Sequence, residues 1–253
     1  MLGIIGGSGV YELSDIADAV EKKTVETEYG AVEVSILNIE SKKVAFISRH
    51  LEGHKIPPHM INYKANIQAL KNLGVTQIIS TSAVGSINLD MAPGSFVLVN
   101  NFLDFTVLRD KTFFDDEVHH LDMSEPYCPR LREIICSCMD DKESIFDNGT
   151  YICTEGPRFE TPAEIKMFQL FEGDVVGMTG LPEVVFAREK EMCYQTICLV
   201  TNFGTSISEN ILTHDEVAEM MDVKKDVLLT LLHKVILKLD DNFDCFCLHA
   251  LDY

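Results

Sequence analysis

Positive charge is what this sequence has least of. Lys and Arg number 21 against 40 Asp and Glu, a formal net charge of −19. Nucleic acid and anionic membranes bind through basic patches, so neither is an expected partner. A negative chain can still hold a small anion, but it needs a locally basic site. Arg49, His50 and His54 form the one cluster of that kind. Long apolar runs are also missing, and none approaches the roughly 18 residues needed to span a bilayer. The start, Met1-Leu2-Gly3-Ile4-Ile5-Gly6-Gly7, lacks the basic flank of a signal peptide and reads as a first strand. The expected location is the cytoplasm. Zinc-type CxxC pairs are absent among the eight cysteines. Two CxC pairs, Cys136-Ser137-Cys138 and Cys245-Phe246-Cys247, read as reduced thiols packed like small hydrophobes. A disulfide within the second pair would be strained. Internal repeats and low-complexity linkers are absent as well.

What is present suits one α/β domain over residues 1–253, with 46% hydrophobic residues to build a core. Apolar runs bounded by Gly, Pro and Asn predict strands at 2–5, 32–39, 44–48, 77–81, 96–102, 150–153, 175–178 and 196–201. Helical patterns predict helices at 58–73, 128–138, 162–170, 182–190 and 215–239, several starting near a proline. Strands alternating with helices imply a mainly parallel sheet. The last helix keeps one apolar face from Val217 to Leu239, and Thr213-His214-Asp215-Glu216 matches a capping box. That places His214 in the first turn, where the helix dipole favours neutral imidazole.

Six segments carry polar chemistry at strand ends. Gly6-Gly7-Ser8-Gly9 could cradle a phosphate with backbone N–H groups and a hydroxyl. It lacks the third glycine of a dinucleotide loop, where Glu12 stands instead, and no P-loop lysine follows. Ser48-Arg49-His50 offers a planar guanidinium fork, and Ser80 to Ser86 a run of small hydroxylated residues. Thr154 to Glu164 combines acids, an arginine, an aromatic and a glycine in a mixture unusual for a purely structural loop. Val176 to Glu183 and Val200-Thr201-Asn202-Phe203-Gly204 complete the set.

Taken in order, Gly-Gly-Ser-Gly, Arg49-His50, Asn62 to Asn66, Ala83-Val84-Gly85-Ser86, Glu155 to Phe159, Met178-Thr179 and Pro182-Glu183 run across nearly the whole chain. The ordered set resembles the methylthioadenosine phosphorylase branch of the trimeric purine nucleoside phosphorylase family. The resemblance implies an α/β domain around a mixed, partly closed sheet flanked by helices. It implies phosphate held by Ser8, Arg49, His50, Ser82 and Thr179, with a backbone contact from Ala83. Phe159 would lie against base or ribose, Met178 would meet the ribose, and Asn202, with Phe203 and Gly204 beside it, would meet the purine. Trimers, or hexamers of paired trimers, are implied, with His120 from a neighbouring subunit closing the 5′ side. Phosphate is then a co-substrate, and neither metal nor other cofactor is expected. Water in place of phosphate would make the Arg49/His50 pair and the Ser8 loop superfluous.

The sequence departs from that branch where the base is read. Asn202 and Gly204 stand where methylthioadenosine phosphorylases carry aspartates. An asparagine offers both an acceptor and donors, so it can donate to O6 while accepting from N7–H. Glu160 can accept from N1–H of a 6-oxopurine, a proton adenine lacks. Both changes resemble the inosine- and guanosine-cleaving enzymes, as does His214-Asp215-Glu216-Val217, whose histidine would meet a 5′-hydroxyl. The expected reaction is phosphorolysis of inosine or guanosine in purine salvage. Methylthioinosine ranks second and methylthioadenosine third.

Overall fold

The computed structural model describes residues 1–7, 13–51, 53–208 and 214–252, with His214 described by its backbone alone. The chain runs β1 (Leu2–Gly6), β2 (Ala19–Val25), β3 (Val32–Ile39), β4 (Lys42–Ser48), α1 (Tyr63–Asn72), β5 (Gln77–Ser86), β6 (Phe96–Leu98) and β7 (Asn101–Phe105). It continues through α2 (Pro129–Cys136), β8 (Ile145–Phe146), β9 (Thr150–Thr154), α3 (Pro162–Leu170), β10 (Val175–Gly177), α4 (Glu183–Glu189), β11 (Cys193–Phe203) and α5 (His214–Lys238). Among the described residues all eleven strands join one sheet, ordered β2-β3-β4-β1-β5-β10-β9-β7, with β11, β6 and β8 branching from β5. The expectation of a mainly parallel sheet holds among the described residues, where six of the ten strand pairings are parallel. β2, β3 and β4 pair antiparallel, as do β5 with β10 and β6 with β11, so the sheet is mixed. Strand–helix alternation speaks only for the parallel crossovers and is blind to hairpins. The pairing path branches at β5 and does not close on itself.

Period-two alternation splits the core between the two sheet faces. On one face Ile5, Ala45 and Ile47 pack with residues of α1 and α4; on the other Leu2, Ile4, Val44 and Phe46 pack with α2 and α5. The apolar stripe of α5 enters this second layer through Met221, Leu228, Leu231, Leu232, Val235 and Ile236. Burying each such side chain stabilises the fold by about 1.5–3 kcal/mol. No described helix is long and apolar enough to cross a membrane.

Several expected boundaries move, each for a visible reason. The helix expected from residue 58 begins at Tyr63, because Ile61 is extended and Asn62 caps α1, its Oδ1 accepting from the Ala65 N–H at 3.0 Å. The strand expected at 96–102 divides into β6 and β7 around Asn100, which exchanges hydrogen bonds with Gly149. β2 was not expected, since its charged residues are exposed and leave no apolar alternation; such charges also protect a sheet edge. β5 runs through Ser86 and not only to Thr81, because β1, β10 and β11 cover its edges. Thr161 and Glu164 form a capping box at α3. The box expected at Thr213 lies outside the described residues.

Truncating Leu232, fully buried in the α5 layer, should remove about 2–5 kcal/mol of stability. Urea unfolding of Leu232→Ala checks this, and a loss under 1 kcal/mol would contradict the packing described.

Candidate active site

All six polar segments contribute to one cavity of about 370 Å³. It opens at the carboxyl ends of β1, β4, β5, β10 and β11, where open α/β sheets place ligands. Arg49, His50, Ser82, Ala83, Phe159, Glu160, Met178, Thr179, Asn202 and Gly204 all line it. Phe203 does not. His120 is exposed and off the cavity. Ser8 and the side chain of His214 lie outside the described residues.

Arg49 sits at the bottom, 2% exposed, just after β4. Its Nε donates to Glu183 Oε1 at 2.5 Å and its Nη2 to Oε2 at 2.9 Å. Nη1 donates to the Thr81 carbonyl at 2.9 Å, and the Tyr194 hydroxyl donates to Glu183 Oε2 at 2.8 Å. Burial works against the arginine charge, but the Glu183 carboxylate reverses that and holds its pKa above the ordinary value. The end of β1 passes close by. A Cβ on Gly7 would fall 2.5 Å from the Thr81 carbonyl oxygen and 2.9 Å from Arg49 Nη1, so a residue without one is needed there. Glu183 belongs to an expected motif, but nothing in the sequence marked it as the partner of Arg49.

His50 donates from Nδ1 to the Ile56 carbonyl at 2.8 Å and stacks on His54, ring centroids 4.1 Å apart. Burial, aided by Arg49 and His54, lowers its pKa to about 4 against the pull of the Ile56 carbonyl. At neutral pH the ring is uncharged, and Nε2 is an acceptor. The expectation of a locally basic cluster is therefore corrected. Glu183 offsets Arg49, and His50 carries no charge.

The remaining polar atoms are set by neighbours the sequence did not single out. The buried Tyr151 hydroxyl accepts from the Thr179 and Gly180 N–H groups at 3.3 and 3.4 Å, and lies 3.4 Å from Ser82 Oγ. With its oxygen occupied by amides, the phenol proton goes to Ser82, whose own hydroxyl donates to the Ala83 carbonyl at a long 3.5 Å. Burial keeps that phenol protonated.

β11 carries a bulge between Val200 and Asn202. In a regular strand Thr201 and Asn202 would face opposite ways; the extra residue lets both line the cavity. Asn202 Nδ2 donates to the Phe203 carbonyl at 2.8 Å, and Oδ1 accepts from the Thr201 hydroxyl at 2.7 Å. A carbonyl can only accept, so the amide orientation follows. One N–H and one lone pair remain. Glu160 is 7% exposed and accepts from Thr154 Oγ1 at 2.8 Å; burial raises its pKa.

The 154–164 segment is less functional than expected. Glu155 binds the Val107 and Leu108 N–H groups and Arg109, while Arg158 pairs with Glu164 at the surface. Only Pro157, Phe159 and Glu160 of the 154–164 segment reach the cavity.

The Phosphorylase superfamily signature matches residues 1–237. A protein of Methanothermobacter thermautotrophicus named "Probable S-methyl-5'-thioinosine phosphorylase" is 52% identical over 99% of this chain and 89% of its own length. The 6-oxopurine nucleoside phosphorylase of Pyrococcus furiosus is 46% identical over 99% of this chain and 97% of its own. Among solved structures, methylthioadenosine phosphorylase from Schistosoma mansoni in complex with adenine superposes with a TM-score of 0.92 at 31% identity, covering 99% of this chain and 96% of that one.

Replacing Glu183 by Gln keeps its shape but leaves the buried Arg49 charge unopposed. The expected cost is about 3–5 kcal/mol in denaturant unfolding. A cost below 1 kcal/mol would show that the ion pair does not hold this end of the sheet.

Proposed function

The chain belongs to the phosphorylase superfamily and is a purine nucleoside phosphorylase, a pentosyltransferase; on that premise we propose that its nucleoside carries a 6-oxopurine and an ordinary 5′-hydroxyl, as inosine and guanosine do. One observation carries the base assignment. The Asn202 amide is held between the Phe203 carbonyl and the Thr201 hydroxyl, with one N–H and one lone pair to spare. That pair matches a purine presenting O6 as acceptor and, as the glycosidic bond loosens, N7–H as donor. An ionised aspartate there would set a carboxylate oxygen against the Phe203 carbonyl. Glu160 complements this by accepting from N1–H.

In this reading Ser8, Ser82, Thr179, the Ala83 backbone and the spare N–H groups of Arg49 hold phosphate, and neutral His50 accepts at Nε2 a hydrogen bond donated by a phosphate hydroxyl. The bond from C1′ to N9 breaks while a phosphate oxygen bonds to C1′; the bonding pair leaves on the purine, which takes up a proton from solvent at N7, yielding the free base and ribose 1-phosphate. Phosphate stabilises the cationic sugar, and Asn202 stabilises the charge developing on the purine. Catalysis is positioning plus electrostatics. Phe159 and Met178 shape the base and ribose walls, and Gly204 leaves room beside Asn202. His120 of the partner subunit closes the 5′ side in a trimer or a hexamer of paired trimers.

Methylthioinosine is the second reading. Val217 puts an apolar wall on the cavity one helical turn beyond His214, where a methylthio group could rest.

Phosphate-dependent cleavage of inosine, guanosine, adenosine, methylthioinosine and methylthioadenosine tests the proposal. Inosine and guanosine should lead, and no cleavage should occur without phosphate. Equal or faster turnover of methylthioadenosine would defeat the base assignment. Asn202→Asp should cost inosine about 10²–10³-fold and move preference toward 6-aminopurines. His214→Val should weaken inosine and spare methylthioinosine; the reverse would favour the second reading.

Glu160 supplies a pH test. It accepts from N1–H most strongly when ionised, and burial raises its pKa. Inosine kcat/KM should therefore fall on the acid side at a pH above the ordinary glutamate range, and Glu160→Gln should abolish that limb. The raised folded value also means that stability is lost as pH climbs through it. The Gln variant should therefore be the more stable protein at neutral pH. A wild-type acid limb at the ordinary glutamate pKa would refute this role.

A further inference from the structure

Far from the cavity, the fold gathers four cysteines that the proposed reaction does not use. Cys128 is the N-cap of α2, Cys193 opens β11, and Cys245 and Cys247 flank Phe246 near the end of the chain. Their sulfur atoms all lie within 4.8 Å of one another. Cys128, Cys193 and Cys247 are buried and Cys245 half-buried, and none is in a disulfide. Asn202 stands at the other end of β11, about 30 Å away at the rise of a strand.

We propose that these four thiols form a structural tetrathiolate site for a zinc-class divalent cation. The geometry carries the argument. Zinc–sulfur bonds of about 2.3 Å place tetrahedral sulfurs about 3.8 Å apart, and Cys128 Sγ lies 3.8 Å from Cys245 Sγ. Two disulfides would instead need two sulfur pairs near 2 Å. Four sulfurs within 4.8 Å of one another, three of them on buried residues, suit one central ion better than they suit thiol packing.

The surroundings fit a thiolate cluster. A dication with four thiolates keeps a net charge of minus two, and two cations lie close by. The Arg188 guanidinium sits 4.8 Å from the Phe246 ring centre, and that of Arg130 sits 3.9 Å from the Phe243 ring centre. Binding releases one proton for each thiol that ionises. The ion would clip residues 243–249 to the starts of α2 and β11, within the core layer that also holds α5. The absence of CxxC pairs had argued against such a site. The fold makes the ligand set from one CxC pair and two isolated cysteines that are distant in sequence.

The test uses the full chain, reduced under inert gas and offered zinc or cobalt(II). One metal per chain is expected by elemental analysis, and cobalt should give the intense visible bands of a tetrahedral thiolate complex. Cys245→Ser/Cys247→Ser should lose the metal and lower Tm by more than about 5 °C. Cys136→Ser, outside the cluster, should keep both. Phosphorolysis below the melting temperature should survive chelation. Reduced protein that takes up neither metal, or that binds cobalt without thiolate bands, would overturn the proposal. So would thiols that stay paired as disulfides and refuse metal after reduction. If the double variant does not fold, metal content and cobalt spectrum of the unaltered chain decide.

Discussion

The ion pair between Arg49 and Glu183 is the constraint on which this end of the molecule depends. Both groups are removed from water, which is costly unless geometry and hydrogen bonding are complete. Here they are. The guanidinium meets the carboxylate with two bonds and gives a third to the Thr81 carbonyl, while Tyr194 donates to the carboxylate. The pair therefore ties β4, β5, α4 and β11 into one arrangement. It also fixes which N–H groups of Arg49 are left for a ligand. Gly7 belongs to the same constraint, since a side chain there would occupy the space of Arg49.

A chain of net charge −19 cannot draw an anion by its overall field. Its long-range repulsion is screened beyond about 8 Å at physiological salt. What remains is local, namely oriented donors in a desolvated cavity. Arg49 is neutralised by its partner, and His50 is uncharged with one nitrogen committed to Ile56. Tyr151 aligns Ser82 and the 179–180 amides. A site built this way gains from direction more than from net charge, which favours a ligand whose charge develops at defined atoms.

Much of the fold was legible. Apolar runs located β1, β3, β4, β9 and the long α5, because burial imposes period two or 3.6 on side chains. β2 was not legible, since an exposed, charged edge strand has no apolar face to reveal it. The extension of β5 past Thr81 and the division at Asn100 were also hidden, since both depend on which neighbouring strand supplies the partner. The site followed the same rule. Arg49, Ser82, Thr179 and Asn202 were named through the resemblance of their ordered motifs to the purine nucleoside phosphorylases, and all four line the cavity. Glu183, Tyr151 and Thr201 act by touching those residues, and touch is not written in one dimension. Glu155 and Arg158 misled for the same reason, their charges being used to fasten the loop.

By itself the sequence determined the α/β character, the ordered motifs of a purine nucleoside phosphorylase and the asparagine where an aspartate might have stood. Composition and periodicity are local properties and suffice for the first of these; the other two rest on the resemblance of the ordered motifs to a known family. Tertiary structure decided the mixed and branched sheet, the bulge that turns Thr201 and Asn202 to one cavity, the compensation of Arg49 by Glu183, and the meeting of four distant cysteines. Each of these is a relation between segments far apart in the chain. Their separation in space is set by packing, which only the folded molecule defines.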